Sequence, residues 1–137
     1  MNKLIIPAVI IVAIGTASPG AWSQAPAPAP NFDRNTYYTT PLENDASRVV
    51  RLRAVTFPAS GDSGFHRHSG DQWNTVQEGE ITLTIKGREP RTLKPGDTGY
   101  IPRGTVHRNQ NLTDKPARVI ELNIMDKDKP DLEPVTQ

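Results

Sequence analysis

Two stretches of this chain decide its fold: GDSGFHRHSGDQWNTVQEG, residues 61–79, and GDTGYIPRGTVHRNQN, residues 96–111. All three histidines of the 137-residue chain lie in them, His66 and His68 in the first and His107 in the second. Residues two apart on a strand point to the same face, so His66 and His68 can reach one ion. The concentration of imidazoles therefore predicts a metal site.

The two stretches resemble the two short motifs of the cupin superfamily, G-x5-H-x-H-x3-4-E-x6-G and G-x5-P-x-G-x2-H-x3-N. The second motif matches at every specified position from Gly96 to Asn111. The first departs twice, with one residue fewer between Gly61 and His66 and with Gln72 where the family usually has glutamate. The resemblance implies four metal ligands: His66, His68, Gln72 and His107.

Short apolar and β-branched runs between turn-forming clusters predict an all-β protein. The runs are residues 49–57, 73–77, 81–86, 98–101 and 118–124. In the third run Ile81, Leu83 and Ile85 alternate with polar residues, which is the period of a strand with one buried face. This spacing fits a sandwich or a barrel, and the cupin resemblance implies the double-stranded β-helix, a small jelly-roll barrel.

The ends of the chain predict four segments. A charged start, an apolar run and a small-x-small site are typical of a secretory signal peptide, residues 1–23, because the run is shorter than the roughly 20 residues of a membrane span. A single-pass anchor is the alternative. Residues 24–30 predict an extended Ala/Pro linker, residues 31–126 the cupin barrel, and residues 127–137 a flexible tail. We therefore expect a periplasmic or secreted protein with no integral membrane span after signal removal.

Charge and cysteine content exclude several classes of protein. Cleavage after residue 23 removes one of 16 basic side chains and none of 15 acidic ones, so the mature chain has no net charge and does not point to nucleic acid. The chain has no cysteine, which excludes disulfides and sulfur ligands. A bound metal must therefore be held by nitrogen and oxygen, and we expect one divalent transition metal, Fe, Mn, Ni, Cu or Zn.

Gln72 is the informative departure from the family pattern. Three imidazoles and one side-chain oxygen leave a metal with open positions. A glutamate would lower the net charge of the site to about +1, whereas neutral glutamine leaves it near +2. We expect weaker metal retention and a preference for anionic ligands such as carboxylates, enolates or phenolates. The alternatives are a decayed site and solvated histidines.

Strand parity also predicts which residues line a pocket beside the metal. Asn74 and Val76 share the face of Gln72, and Asn109 shares that of His107. Two aromatic residues are further candidates for walls or hydrogen-bond donors: Trp73 and Tyr100. Three arginines are candidates for binding an anionic substrate at the barrel mouth: Arg51, Arg53 and Arg67. Ordinary packing or solvent exposure is the alternative for each.

The favoured function is a metal-dependent enzyme acting on a small organic anion. The resemblance permits dioxygenase, decarboxylase, isomerase and lyase chemistry, and we favour oxygen-dependent oxidation of an enol or phenol. No catalytic residue is assigned, because glutamine cannot exchange a proton near neutral pH and all three histidines are expected to be ligands. The alternative is a non-catalytic periplasmic binding or sensing protein, with a metal-free sugar isomerase less favoured. The resemblance also implies a homodimer, because small cupins commonly dimerise.

Overall fold

Ten strands form two five-stranded antiparallel sheets in the computed structural model, which describes residues 31–136. The strands are β1 (Asp33–Leu42), β2 (Asp45–Phe57), β3 (His66–Arg67), β4 (Asp71–Glu78), β5 (Ile81–Ile85), β6 (Arg91–Leu93), β7 (Thr98–Ile101), β8 (His107–Gln110), β9 (Ala117–Asp126) and β10 (Glu133–Pro134). Within the described range no helix is long and apolar enough to cross a membrane. The predicted signal peptide and linker lie outside the described residues.

The strand order is that of a jelly roll. The first sheet has the order β1-β2-β9-β4-β7 and the second sheet the order β10-β3-β8-β5-β6. Neighbours in each sheet are mostly distant in sequence, so the chain passes repeatedly from one sheet to the other. The architecture confirms the prediction of an all-β double-stranded β-helix.

The predicted apolar runs correspond to β2, β4, β5, β7 and β9, while the remaining strands were not predicted. The unpredicted strands are short or polar. The strands β3 and β10 have two residues each, and β8 has the sequence HRNQ without an aliphatic residue. Hydrophobic periodicity does not identify such strands, since they face a polar part of the barrel or lie at its edge.

The carboxyl-terminal segment differs from the predicted flexible tail. The strand β10 pairs with β3 through Glu133 opposite Arg67 and Pro134 opposite His66. The Val135 amide also donates to the Phe65 carbonyl at 2.9 Å. An edge strand needs a partner for its backbone groups, and the tail supplies one for β3. The segment thus completes the second sheet beside the predicted metal site.

The inner face of the first sheet changes from apolar to polar along its strands. One cross-strand row consists of Val55, Val119 and Val76, which belong to a buried apolar cluster. The next two rows are polar, and in register order they contain Arg53, Glu121 and Asn74, then Arg51, Asn123 and Gln72. The barrel interior therefore has an apolar half that holds the sheets together and a polar half.

Two residues of the motifs have structural roles. Gly79 has φ of +73°, and a Cβ atom there would lie 2.7 Å from the Pro116 carbonyl oxygen, so only glycine fits. The buried Asn111 amide nitrogen contacts three carbonyl oxygens, of Phe57, Pro58 and Lys115. Asn111 thus joins the end of β2 to the loop before β9.

Candidate metal centre

The fold brings the three histidines together on the second sheet. His66 on β3 lies directly opposite His107 on β8, and His68 follows two residues after His66. The ring centroids are 4.2 Å apart for His66 and His107, 4.9 Å for His66 and His68, and 5.3 Å for His68 and His107. One potential ligand nitrogen from each residue lies within 4.8 Å of the others. The expected convergence of the imidazoles is confirmed.

Backbone carbonyls fix the tautomer of each imidazole. The Nδ1–H groups of His66 and His107 donate to the carbonyl oxygens of Gly64 at 2.9 Å and Thr105 at 3.1 Å. The Nδ1–H of His68 donates to the carbonyl oxygen of Asp131. A carbonyl oxygen can only accept, so each ring keeps its proton on Nδ1 and has a lone pair on Nε2. This arrangement is typical of histidines that bind a metal through Nε2.

Burial keeps the three histidines neutral. The pKa of His66, His68 and His107 is lowered to about 4 each, chiefly by burial and to a smaller extent by a neighbouring imidazole. Only neutral imidazole can bind a metal, and these side chains therefore need not lose a proton at neutral pH. The low pKa values also disfavour a proton-transfer role for these histidines at neutral pH.

The donor set fits a first-row divalent ion. The Nε2 atoms of His68 and His107 are buried and have no hydrogen-bond partner among residues 31–136. A buried nitrogen without a partner is costly, and a metal would satisfy both atoms at once. Nitrogen ligands suit zinc, copper, iron and nickel. His66, His68 and His107 would hold such an ion.

Gln72 lies on the inner face of the first sheet. It is 1% exposed and pairs with Asn123 on β9 and Ile101 on β7. Its Oε1 atom has no hydrogen-bond partner in the described part of the chain. A buried amide oxygen in this state is a suitable donor for a cation, so Gln72 remains the predicted fourth ligand.

The structure separates the predicted pocket residues into two groups. Asn74 and Asn109 are buried on inner faces, and the Oδ1 atom of each lacks a partner within residues 31–136. Trp73 and Tyr100 instead lie on the outer face of the first sheet, where their rings stack at 5.2 Å. The reason is strand parity, since Trp73 is one residue from Gln72 and points to the opposite side. These two aromatic residues do not line the histidine cavity.

The arginines also take different places. Arg53 is 1% exposed and lies inside the barrel rather than at its mouth, with its Nε 2.7 Å from Glu121 Oε2. Arg51 pairs with Asp131 and is partly buried. Arg67 lies at the surface and pairs with Glu133 at 2.9 Å. Arg51 and Arg53 thus share the inner face of β2, and Arg53 is the more deeply buried of the two.

Three further polar residues near the candidate site were not predicted: Glu121, Asn123 and Asp131. Glu121 and Asn123 are buried on the inner face of β9. No local signal identifies them, because hydrophobicity favours burial of the opposite face of this strand. Asp131 accepts from Arg53 at 3.1 Å and lies in the carboxyl-terminal segment, whose sequence carries no such signal.

A surface cleft of about 240 Å³ reaches His68. Its other lining residues are Arg67, Ser69, Arg103, Gly104, Asp126, Lys129 and Glu133. Three of these side chains are cationic and two are anionic. A small organic anion can therefore approach the histidines from this side.

Comparison with known proteins shows relatives that share about half of this chain. A cupin-domain-containing oxidoreductase, srdB, of Neurospora crassa is 40% identical over 72 residues, which cover 52% of this chain and 36% of that protein. The dimethylsulfoniopropionate lyase DddQ of Ruegeria pomeroyi is 30% identical over 77 residues, which cover 56% of this chain and 38% of that protein. The chain thus spans little more than a third of the length of either relative.

Solved structures show the same architecture. The crystal structure of DddQ from Ruegeria pomeroyi superimposes with a TM-score of 0.64 at 22% identity, covering 77% of this chain and 52% of that one. The structure of KdgF from Halomonas sp. gives a TM-score of 0.60 at 26% identity, covering 72% and 82%. The family model described as "Cupin domain" matches residues 53–124, from the buried Arg53 on β2 to Ile124 on β9. With both motifs, the jelly roll and the histidine trio in place, the chain belongs to the cupin domain family.

Proposed function

We propose that this protein is an exported metalloenzyme whose cupin domain oxidises a small organic anion with oxygen. One divalent transition metal is held by His66, His68 and His107, with Gln72 as the fourth ligand. The observation that carries the proposal is the convergence of three neutral imidazoles within 4.8 Å, each with its Nδ1–H bonded to a carbonyl oxygen. Such an ion supplies Lewis acidity and, for a redox-active metal, electron transfer.

The residues around the trio favour an anionic ligand. Gln72 brings no negative charge, and the cationic side chain of Arg53 is buried in the same half of the barrel. The apolar rows beyond them exclude water from one side of the site. The similarity to the Neurospora crassa oxidoreductase supports oxidation, whereas the similarity to the lyase DddQ supports a lyase as the second reaction class.

Metal content is the first test of the proposal. Protein purified without an affinity tag, so that no nickel is introduced, is expected to contain about one ion per chain by elemental analysis. His107→Gln should lower this occupancy at least about tenfold, because removing a ligand or its support costs that much affinity. Asn109→Ala, on the same strand but without a ligand role, is the matched control and should keep the ion. Equal, near-zero occupancy in wild type and His107→Gln refutes the metal site.

Turnover separates an enzyme from a binding protein. The metal-loaded protein is expected to consume oxygen with at least one member of a panel of flavonols, catechols and diketones, while His107→Gln does not. Ligand-induced thermal stabilisation without product would instead support a periplasmic binding or sensing protein. Absence of oxygen uptake across the panel removes the oxidation proposal and leaves the lyase class to be assayed.

Export is proposed from the amino-terminal sequence. The basic Lys3, the apolar run and the small residues Ala21 and Ser23 support cleavage after residue 23. Mass spectrometry of the protein from the periplasm or medium should give a chain that begins at Gln24. A full-length chain recovered from the membrane fraction would favour the single-pass anchor.

A homodimer is proposed through the outer face of the first sheet. A cross-strand row there contains, from β1 to β7, Tyr38, Leu52, Leu122, Trp73 and Tyr100. The end residues Tyr38 and Tyr100 are 59% and 49% exposed. At about 4.8 Å per strand the row is about 19 Å long and crosses the whole sheet, which suits the self-complementary contact of a two-fold dimer. Monomeric proteins usually expose apolar residues singly, whereas this row is continuous across the sheet.

Light scattering after size exclusion tests the dimer. Tyr100→Glu should give a monomer, because it places a charge at the end of the apolar row. Leu112→Glu, at a 68% exposed loop position outside the row, is the control and should stay dimeric. A monomeric wild type at micromolar concentration would refute the interface.

A further inference from the structure

The buried guanidinium of Arg53 has one side that the protein does not use. Its Nε donates to Glu121 Oε2 at 2.7 Å and its Nη1 to Asp131 Oδ2 at 3.1 Å. Its Nη2 is buried and has no hydrogen-bond partner in the portion of the chain that the structure describes. Guanidinium presents paired N–H groups in one plane, which match the two oxygens of a carboxylate. The arginine is thus held in place by two acids and keeps one nitrogen, Nη2, free to donate to a third.

Arg53 lies next to the histidine trio. Asp131 links the two, because its carboxylate accepts from Arg53 and its carbonyl oxygen accepts from His68. A single residue thus connects Arg53 to His68, so a ligand bound to the guanidinium group would lie close to the trio.

The ion pairs around Arg53 leave one of its nitrogens without an acceptor. Arg51 and Arg53 are balanced by Asp131 and Glu121 through ion pairs. These four charges cancel, and neither acid contacts the buried Nη2 of Arg53. An anionic ligand would supply the acceptor that this nitrogen lacks.

Buried amide oxygens indicate that the ligand also carries hydroxyl groups. The Oδ1 atoms of Asn74 and Asn109 are buried without a hydrogen-bond partner within the described range 31–136. Asn74 stands directly beside Glu121 in the register of β4 and β9. An amide oxygen is satisfied by a donor, and the hydroxyl groups of a small molecule are donors. Apolar carboxylates would leave both oxygens without a partner.

We propose that the free Nη2 of Arg53 binds the carboxylate of a small hydroxycarboxylate, whose hydroxyl groups donate to Asn74 and Asn109. This inference names the substrate class of the proposed function and rests on that function for the reaction. Binding of the carboxylate itself needs no metal. Arg53 is a specificity-determining residue in this scheme, and the acids Glu121 and Asp131 position it.

Calorimetric titration with three probes tests the binding site on metal-free and zinc-loaded protein. The probes are glycerate, with a carboxylate and two hydroxyls, its neutral amide glyceramide, and propionate, which lacks hydroxyls. Metal-free wild type should bind glycerate at least about tenfold more tightly than either of the others. Arg53→Lys should lower the glycerate affinity at least about tenfold, because an ammonium group lacks the planar set of donors that contacts both acids and still presents Nη2 to the ligand. Arg51→Lys is the control and should stay within about threefold of wild type.

Three outcomes would overturn the inference, and a second variant is available if the first does not fold. Equal binding of glycerate and glyceramide, no saturable binding to metal-free protein, or an unchanged Arg53→Lys overturns it. If Arg53→Lys does not fold by circular dichroism, Asn74→Ala decides: it should weaken glycerate and spare propionate, and equal effects on both refute the proposal. Glycerate binding by a protein that binds no metal would refute only the proposed function. Metal binding without a preference for glycerate would refute only this inference.

Discussion

Acidifying the metal-free protein from pH 7.5 to 5.0 is expected to remove about 6 kcal/mol from its free energy of unfolding. The three histidines have pKa values of about 4 in the folded protein, chiefly because they are buried, against an ordinary value of 6.5. At pH 5.0 the histidines of the unfolded chain bind protons, whereas those of the folded chain remain largely neutral. Each histidine then costs about 2 kcal/mol, since one pH unit corresponds to about 1.4 kcal/mol.

The direction and the pH window of this effect are specific. Folded pKa values below the unfolded value mean that stability is full above pH 6.5 and is lost as the pH falls from 6.5 to about 4. The lowered pKa values of Asp62 and Asp131 matter only at lower pH, because their ordinary value is 3.8. A loss of about 6 kcal/mol is large beside the roughly 5–15 kcal/mol by which domains are stable.

Urea unfolding followed by tryptophan fluorescence in the presence of a chelator measures the effect at both pH values. His107→Gln removes one of the three titrating groups, so its loss of stability should fall to about 4 kcal/mol. A wild-type difference below about 2 kcal/mol would show that the histidines are not held neutral by burial, and the reasoning on the site would be wrong. A metal-loaded sample should lose its ion over the same pH range, because protons compete for the ligand nitrogens.

Four further substitutions test separate features. Gln72→Glu should raise metal affinity at least about tenfold by adding a negative charge, and equilibrium dialysis with zinc measures it. Asn111→Ala should cost about 3 kcal/mol in urea unfolding, because several buried carbonyl groups lose their donor; unchanged stability would contradict this. Gly70→Ala places a Cβ atom 1.8 Å from the Ile124 carbonyl oxygen and should cost more than about 3 kcal/mol or prevent folding. Gly64→Ala, with open space around it but φ of +65°, should cost only about 1 kcal/mol by the same measurement.

Much of the fold follows from local patterns. The alternation at Ile81, Leu83 and Ile85 predicts β5, and the motif spacing predicts that His66, His68 and His107 converge. These features depend on strand parity and on turns, which a few consecutive residues determine. The two-residue strands β3 and β10 have no such pattern, because their pairing depends on partners far along the chain.

The orientation of the central strand β9 could not be predicted from its sequence. Ile120, Leu122 and Ile124 alternate with Val119, Glu121 and Asn123, so hydrophobicity alone favours burial of the three aliphatic residues. The structure turns Glu121 and Asn123 inward instead. Pairing with β2 and β4 on both sides fixes this choice, since a shift of one residue would reverse every side chain.

The sequence by itself determined the all-β class, the two motifs and the nitrogen ligands, because each is written in residues at short and fixed spacings. Tertiary structure alone decided that Arg53 enters the barrel and meets Glu121, 68 residues away, and Asp131, 78 residues away. It also decided that Trp73 and Tyr100 face outward. Contacts over such separations arise only when strands distant in the chain pair and the sheets close on one another, and no local pattern of residues determines which face then lies inside.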